Sequence, residues 1–267
     1  MKEIIKKAKQ FKHTSLEHLD PEDLSNHKIL MENDAALFLC SNPDSEVQIN
    51  WATNSKESFF NGLDEAMEII SRNSEVKKVH IEFIPEDYVT DMENYGFVTV
   101  SEWIDLWNNN LAKVCIDTPE FIQIREIKDD EYQIASEITK SCKGYSRGYE
   151  GETSEWFKAW TECKDSSVFL AEMKNEIIGV CCVKLYGFDS DKGTILWLRE
   201  VAVKPEHHSQ KIGLKLMTHA INLGKQNGAV RSFLACDADN RKAIKLYEGL
   251  GYQRKTKRGQ INMELTV

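Results

Sequence analysis

The sequence predicts an α+β fold in which helices flank a central, mostly antiparallel mixed sheet. Apolar and polar residues alternate at strand period in several short runs, and the segments between them repeat apolar residues at helical spacing. The chain has 267 residues, 41% hydrophobic and 29% charged, which is long enough for two such domains. Only 5 prolines and 14 glycines are present, so a fibrous repeat or long disorder is excluded.

The N-terminal residues, the apolar runs and the cysteines indicate where in the cell the protein is located. The first twenty residues are charged throughout and lack the apolar core of a signal peptide. The longest apolar runs, residues 35–40 and 177–183, are too short to span a bilayer. The seven cysteines form no CxxC pair, which is typical of free thiols in a reducing compartment. We expect a cytoplasmic protein without a membrane partner.

The first part of the chain, residues 1–117, mixes both patterns. Apolar residues repeat at helical spacing after capping residues in the segment 54–73. A strand pair is expected after Gly96, ending near Leu111, and Pro119 marks a junction between two domains, 1–117 and 118–267. The other expected elements are a short helix at 2–10 and strands at 35–40, 47–51 and 76–84.

The second part, residues 118–267, has the clearer pattern. A hairpin is expected to turn at Lys174 and Asn175, between two runs of alternating apolar residues. The other expected strands are 121–127, 193–203, 230–236, 252–256 and 260–267, and the expected helices are 129–142, 153–163, 211–227 and 240–250.

Charge is distributed unevenly along the chain. The formal net charge is −9, yet residues 204–258 contain twelve Lys or Arg against four Asp or Glu. An acidic protein with one basic segment does not resemble a general nucleic-acid binder, and we expect no nucleic-acid partner. The pattern indicates a local site for an anion.

The segment VAVKPEHHSQKIGLKLM, residues 201–217, offers a place for that anion. A strand ends at Pro205, and a helix then begins near Gly213 with Lys211 and Lys215 beside it. Helix N-termini present unpaired N–H groups and attract phosphate, and a glycine lets the phosphate approach closely. A solvated amphipathic helix would give the same residues, and this stretch alone does not decide between the two readings.

The residues downstream extend the pattern. Residues 201–252 follow the order V-x-V, turn, Q-x-x-G, long helix, strand, N-x-x-A-x-x-x-Y-x-x-x-G-Y, and the matching residues are Val201, Val203, Gln210, Gly213, Asn240, Ala243, Tyr247, Gly251 and Tyr252. This order and spacing resembles the GNAT superfamily of acyl-CoA-dependent N-acyltransferases over residues 121–267. The resemblance implies the GNAT fold and acetyl-CoA as cosubstrate, with no metal.

The resemblance also implies which residues bind the cofactor. The backbone of Val201, Ala202 and Val203 would hold the pantetheine arm. Asn240 and Ala243 would help hold that arm from the later helix. The pyrophosphate would be wrapped by backbone amides of the loop Gln210, Lys211, Ile212, Gly213, Leu214 and Lys215, although the family carries a small residue where this chain has Lys215.

Three further lysines and arginines follow Asn240. Arg241, Lys242 and Lys245 are candidates for the 3′-phosphate of CoA, and a solvated helix face is the alternative.

The family's chemistry is direct attack of an amine on a thioester. Tyr247 matches the residue that commonly protonates the departing thiolate, and a half-buried aromatic is the alternative. Glu200, on the strand before Val201 and on the same face as Ala202, is the leading candidate for the base. An ion pair with Arg199 is its alternative. His207 and His208 are interpreted as turn residues, since two adjacent histidines make a poor zinc site.

Acceptor recognition is expected from the segment 144–160. Tyr145, Tyr149 and Glu152 combine aromatic rings with a carboxylate, which suits a cationic amine. Trp156 and Trp160 are at helical spacing and are expected in the core. Glycines in the segment indicate a mobile loop. The acceptor is therefore expected to be a small amine, an amino acid or a peptide N-terminus, and the oligomeric state is not predicted.

Residues 1–117 are predicted to be a degenerate copy of the same unit. Placing Gly96 on Gly251 aligns Met92 with Tyr247, and the phosphate loop then falls on residues 55–60, which contain no glycine. An unrelated α/β domain is the alternative. For the whole chain, the main hypothesis is a tandem acetyltransferase with one active domain. The alternative is a non-catalytic acyl-CoA sensor or scaffold.

Overall fold

The computed structural model describes residues 2–17, 19, 24, 26–41, 45–114, 119–254 and 258–267, which form two compact units. The first unit comprises Met1–Glu102 and Gln260–Val267, and the second comprises Trp103–Gly259. The predicted boundary after residue 117 falls on residues 115–118, outside the described residues, and stays a prediction. Among the helices described, none is both long and apolar enough to cross a membrane.

Helices and strands alternate along the chain as the sequence predicts. In order, the first elements are α1 (Lys2–Ala8), β1 (His13–Thr14), β2 (Lys28–Glu32), β3 (Ala36–Cys40), β4 (Glu46–Thr53), α2 (Lys56–Ser71), β5 (Lys78–Ile84), α3 (Val89–Tyr95) and β6 (Val98–Asn108). The next are β7 (Gln123–Glu126), α4 (Tyr132–Ser141), α5 (Ser154–Glu162), β8 (Ser166–Met173), β9 (Glu176–Tyr186) and β10 (Thr194–Val203). The last are α6 (Ile212–Gln226), β11 (Ala229–Asp237), α7 (Arg241–Gly249), β12 (Gln253–Arg254) and β13 (Gln260–Thr266).

The first unit contains a mixed sheet. Strands β2, β3 and β4 pair antiparallel in that order, β4 pairs parallel with β5, and β5 pairs antiparallel with β13. Helix α2 connects the parallel pair and buries one apolar face, including Phe59, Leu63 and Ile70, against the sheet. The opposite sheet face packs Leu37, Leu39 and other buried residues under the N-terminal segment.

The second unit repeats this topology. Strands β7, β8, β9 and β10 pair antiparallel in sequence, β10 pairs parallel with β11, and β11 pairs antiparallel with β6. Helix α6 connects the parallel pair, and its buried face includes Leu216, Met217 and Ile221. Helices α4 and α5 cover the other face around Phe157 and Val180. The mixed, mainly antiparallel sheet with flanking helices confirms the predicted fold class.

The two units also agree in local details. Gly96 after α3 and Gly251 after α7 both take left-handed backbone conformations, with φ of +110° and +85°. Met92 is fully buried at the position aligned with Tyr247. At the start of α2, the Ser55 hydroxyl accepts from the Ser58 N–H, and the Ser58 hydroxyl accepts from the Ser55 N–H. This capping box occupies donors that a phosphate would need.

Two expectations about strands differ from the structure. The predicted strand pair after Gly96 is one strand of 11 residues, β6, because turn residues occur only at its end, from Asn108 to Asn110. Strand β13 belongs to the first unit and the later half of β6 to the second, so each unit completes its sheet with a strand from the other part of the sequence. Of the strand expected at 252–256, residues 255–257 lie outside the described residues.

The predicted hairpin is confirmed. Strands β8 and β9 pair from Ser166↔Lys184 to Met173↔Glu176, and the turn falls on Lys174 and Asn175. Both turn residues have positive φ, +52° and +63°, as a tight two-residue hairpin turn requires.

Candidate active site

The second unit contains an opening between its two parallel strands. Strands β10 and β11 pair only from Thr194↔Ala229 to Trp197↔Phe233. Beyond that point β10 runs on to Val203 and β11 runs on to Asp237, with no pairing between them in the described length of the two strands. The strands therefore separate, and the backbone groups at the separated end of β10 are open to a ligand in place of a sheet neighbour.

The separated end of β10 begins with an irregularity. Its register with β9 shifts between Leu198 and Glu200, so Arg199 is an extra residue in the strand. Alternation then resumes: Glu200 and Ala202 are buried on the face that carries α4 and α5, whereas Val201 and Val203 pack on the α6 face. This confirms that Glu200 shares a face with Ala202.

The backbone groups of Val203 face away from β9, and its carbonyl is already hydrogen-bonded. The Lys204 N–H donates to the Ile178 carbonyl on β9 at 2.9 Å, so by strand alternation the amide groups of Val203 face away from β9. The Val203 carbonyl is already engaged, because the Cys142 thiol lies 3.2 Å and the His208 Nε2 2.8 Å from it. His208 is thus more than a surface turn residue: it fastens the turn to the strand.

The turn between β10 and α6 supplies backbone donors. Ser209 and Lys211 both have φ of +64°, a left-handed conformation that favours glycine. Helix α6 begins at Ile212, so the amides of Ile212, Gly213 and Leu214 occupy its first turn, where N–H groups lack intrahelical partners. These three amides and the dipole of α6 are suited to a pyrophosphate.

The expected loop, residues 210–215, needs one correction at its far end. The Lys215 N–H donates to the Lys211 carbonyl at 3.0 Å as an ordinary helical bond, so this amide is not available to a phosphate. The residue whose conformation calls for glycine is Lys211, not Lys215. The sequence could not show this, because the register of the turn depends on where the helix starts. Gln210 is exposed, with its side chain 3.5 Å from the Glu206 carbonyl.

Helix α7 presents the other predicted residues. Asn240 is its N-cap, and its side-chain oxygen accepts from the Ala243 N–H at 3.2 Å. The Ala243 amide is therefore occupied, and Ala243 can contribute only its methyl group to a cofactor contact. The side chains of Arg241, Lys242 and Lys245 are exposed, as both interpretations of them require.

Tyr247 lies on α7 in the apolar cluster around α6 and is 9% exposed. Burial raises the pKa of its phenol, and negative charge on Cys236 or Glu200 would raise this pKa further. The phenol therefore keeps its proton at neutral pH, which a group that protonates a thiolate must do.

Glu200 is buried, with 7% of its surface exposed. Burial raises the pKa of its carboxyl group to about 7, against the opposing charge of Arg199. Tyr149 is nearby, and its buried hydroxyl has no hydrogen-bond partner of ordinary geometry. Burial and then the Glu200 charge raise the pKa of the Tyr149 phenol. A carboxyl group whose pKa is raised towards neutrality suits a general base.

Two of the three predicted acceptor residues lie together around Glu200 and Arg199, and the third lies apart. Glu152 is half-buried and forms an ion pair with Arg199, while Tyr149 lies beside Glu200. Tyr145 is 53% exposed, and its ring packs nearly perpendicular to the His208 ring with centroids 5.0 Å apart, nearer the turn. Trp156 and Trp160 are half-buried and stacked on each other, so they belong only partly to the core.

The loop before α5 is anchored to α4 at its end, and the mobility expected of its glycines stays a prediction. The Glu152 N–H donates to the Thr139 hydroxyl at 2.9 Å, and the Glu152 carbonyl accepts from the Ser136 hydroxyl at 2.7 Å. A Cβ on Gly151 would lie 2.6 Å from the Lys140 nitrogen, so this glycine serves close packing against α4.

Arg199 contacts both Glu152 and Glu200, so the ion pair given as the alternative for Glu200 is present. Sequence reasoning missed two residues around the site. Arg147 bridges Asp237 and Asp239 near the end of β11. Cys142 binds the Val203 carbonyl from the end of α4. Lone residues of common types give no motif, and the bulge that turns Arg199 towards Glu200 leaves no signal in the sequence.

One surface group resembles a metal site. Ligand atoms of Glu176, Glu206 and His207 lie within 4.8 Å of one another near the turn. Glu176 already pairs with Lys204, and both carboxylates are exposed, so the group is explained as a surface ion-pair cluster.

Known proteins share this fold. Residues 123–252 match the family described as Acetyltransferase (GNAT) family. An uncharacterized N-acetyltransferase of Methanocaldococcus jannaschii is 25% identical over 132 residues, which cover 48% of this chain and 58% of that protein. The match therefore spans little more than half of that relative.

Solved structures extend the likeness to most of the chain. A GCN5-related N-acetyltransferase from Sphaerobacter thermophilus superposes with a TM-score of 0.62 at 15% identity, covering 92% of this chain and 84% of that one. A tandem GNAT protein from the clavulanic acid biosynthesis pathway has a TM-score of 0.60 at 10% identity, with 94% and 86% covered. At this identity the likeness concerns the fold. The family match at residues 123–252 and the N-acetyltransferase relative support the GNAT superfamily of acyl-CoA-dependent N-acyltransferases for this part of the chain.

Proposed function

We propose that this protein is an N-acetyltransferase that transfers an acetyl group from acetyl-CoA to a primary amine. The observation that carries the proposal is the opening between β10 and β11, which has free helix amides at one end and Glu200 and Tyr247 on the strand and helix that border it. The family match at residues 123–252 supports the acyl-CoA requirement.

The chain offers a group for each part of cofactor binding. The amides of Ile212, Gly213 and Leu214 would hold the pyrophosphate, with the charges of Lys211 and Lys215 beside it. The separated backbone of β10, including the Val203 N–H, would pair with the amides of the pantetheine arm as a missing strand does. Bound acetyl-CoA supplies the activated thioester.

The chain's own residues would then move two protons. Glu200 accepts a proton from the acceptor amine, whose nitrogen forms a bond to the thioester carbonyl carbon. The carbon–sulfur bond breaks, and Tyr247 gives its proton to the departing thiolate sulfur. The carboxylate with a pKa of about 7 and the buried neutral phenol suit these opposite tasks.

The first unit is proposed to lack a cofactor site of its own. The capping box at Ser55 and Ser58 closes its helix N-terminus, and Met92 replaces the phenol. Residues 1–117 are thus proposed as a degenerate copy beside an active domain at 118–267.

A release assay tests the function. The purified protein is incubated with acetyl-CoA and a panel of small amines, amino acids and peptides, and free thiol is followed together with the mass of the acceptor. Acceptor-dependent thiol release with a gain of one acetyl group is expected. Binding of acetyl-CoA without transfer to any acceptor would instead support a non-catalytic sensor. If acetyl-CoA does not bind at all, the remaining hypothesis is a scaffold without cofactor.

A further inference from the structure

Arg199 contacts three groups around the proposed base. Its Nη1 lies 4.0 Å from Oε2 of Glu200, and its Nη2 lies 2.9 Å from Oε1 of Glu152. Its guanidinium carbon lies 5.3 Å from the centre of the Trp156 ring. One side chain thus joins the strand, the loop before α5 and α5 itself, and its planar group is held on a ring face.

The strand bulge makes the contact with Glu200 possible. Adjacent residues of a regular strand point to opposite faces, so a side chain at 199 would face away from Glu200. The register shift at Arg199 breaks this alternation and turns the guanidinium towards the buried carboxylate.

Glu152 is held in place by the fold. Its backbone N–H and carbonyl both bond to hydroxyl groups of α4, and Gly151 packs against the backbone of that helix. Its carboxylate is therefore a negative charge held at Nη2 of Arg199, whereas Glu200 lies by Nη1, and that negative charge raises the pKa of Glu200.

We propose that Arg199 and Glu152 are a positioning pair that sets the proton affinity of Glu200 in opposite directions. Arg199 favours the carboxylate form, and Glu152 limits that effect by occupying one side of the guanidinium. The inference rests on the proposed function, because that function gives Glu200 the role of base.

Arg199 and Glu152 are the charged side chains that act on Glu200, and a hydrogen bond from Tyr149 lowers the Glu200 pKa beside them. Five further titratable groups feel the Glu200 charge, and burial raises the pKa of each, so they are uncharged at neutral pH. They are Tyr149 on the loop before α5, Cys142 after α4, Cys181 and Cys182 on β9, and Tyr247 on α7.

The test measures the titration of Glu200 directly. Protein labelled with carbon-13 at the glutamate carboxyl groups is titrated without cofactor or acceptor, and the signal lost in Glu200→Gln identifies Glu200. Arg199→Met should raise the Glu200 pKa by about one unit or more, and Glu152→Gln should lower it. The control pair is Arg72→Met and Glu68→Gln, an exposed ion pair of the first unit; both should leave the Glu200 signal unchanged.

The two shifts have opposite signs, and that separates this role from a structural one. Shifts in the same direction, or two shifts no larger than those of the controls, would overturn the proposal. Should Arg199→Met fail to fold, Arg199→Lys and Glu152→Gln carry the test. In Arg199→Lys we predict a smaller rise in the Glu200 pKa than in Arg199→Met, because lysine keeps the positive charge but loses the planar group that packs on the ring.

An activity measurement then links the pair to turnover. The acid limb of the kcat/KM profile should move up in Arg199→Lys and down in Glu152→Gln, in parallel with the titration. Opposite titration shifts in a protein that acetylates no amine would refute the proposed function and leave the positioning pair intact. Transfer activity in variants whose Glu200 titration does not move would refute the positioning pair and leave the proposed function intact.

Discussion

Replacing Glu200 with glutamine should change how the stability of the protein depends on pH. The folded protein holds a proton on Glu200 up to about pH 7, whereas an exposed glutamate releases it near 4.5. Between these values the folded state binds more protons than the unfolded chain, so this group lowers the free energy of unfolding as pH rises. The glutamine variant does not titrate at this position, so its free energy of unfolding does not fall with pH for this reason.

The size of the effect follows from the two pKa values. One pKa unit corresponds to about 1.36 kcal/mol, so the shift from the ordinary value of 4.5 to about 7 corresponds to about 3 kcal/mol. The variant should therefore gain about 3 kcal/mol relative to the wild type between pH 4 and pH 8, whatever constant difference the amide itself introduces.

The assay is urea unfolding of both proteins at half-unit steps from pH 4 to pH 8. Glu131→Gln serves as a control of opposite sign, because the hydrogen bond to Arg125 lowers the pKa of Glu131. Its contribution is present above the ordinary pKa and is lost as pH falls through the folded value, so this variant should lose stability relative to the wild type as pH rises. A pH-independent difference for Glu200→Gln would refute the buried, proton-holding carboxyl group.

Three further substitutions test other residues of the site. Tyr247→Phe should lower kcat by about 10²- to 10⁴-fold while acetyl-CoA binding persists, and a loss below about fivefold would remove Tyr247 from the acid role. Lys211→Gly should raise the free energy of unfolding by about 1 kcal/mol because φ is +64° there, whereas the control Lys211→Ala should not; equal stability of the two variants in urea would contradict the strain. Asn240→Ala should cost about 1 kcal/mol as a lost helix cap, and an unchanged urea midpoint would show that the Ala243 N–H finds another acceptor.

The sequence was informative wherever periodicity or turn chemistry was local. The hairpin at Lys174 and Asn175 and the helix before Gly251 are fixed by residues close in the chain, and so is the face shared by Glu200 and Ala202. The likeness of Gly96 and Gly251, both with positive φ, followed from aligning the chain with itself.

Long-range choices could not be predicted in the same way. An alternating strand pattern shows which residues point inward but not which strand is the partner, so the exchange of β6 and β13 between the units had no signal. The bulge at Arg199 and the start of α6 at Ile212 depend on tertiary packing. Each changes a functional assignment. The bulge places Arg199 beside Glu200, and the helix start puts the Lys215 N–H into a helical hydrogen bond, where it cannot bind a phosphate.

Acetyl-CoA binding at the opening between β10 and β11 is the central claim, and a thermal-shift titration tests it most directly. Ligand at about 100 times its dissociation constant should stabilise the protein by about 2.7 kcal/mol, a rise of several degrees in Tm. The account predicts a saturable rise that is weakened in Lys215→Glu and preserved in the matched control Lys158→Glu, whose lysine lies on α5. No rise up to millimolar acetyl-CoA, or equal weakening in both variants, would contradict it.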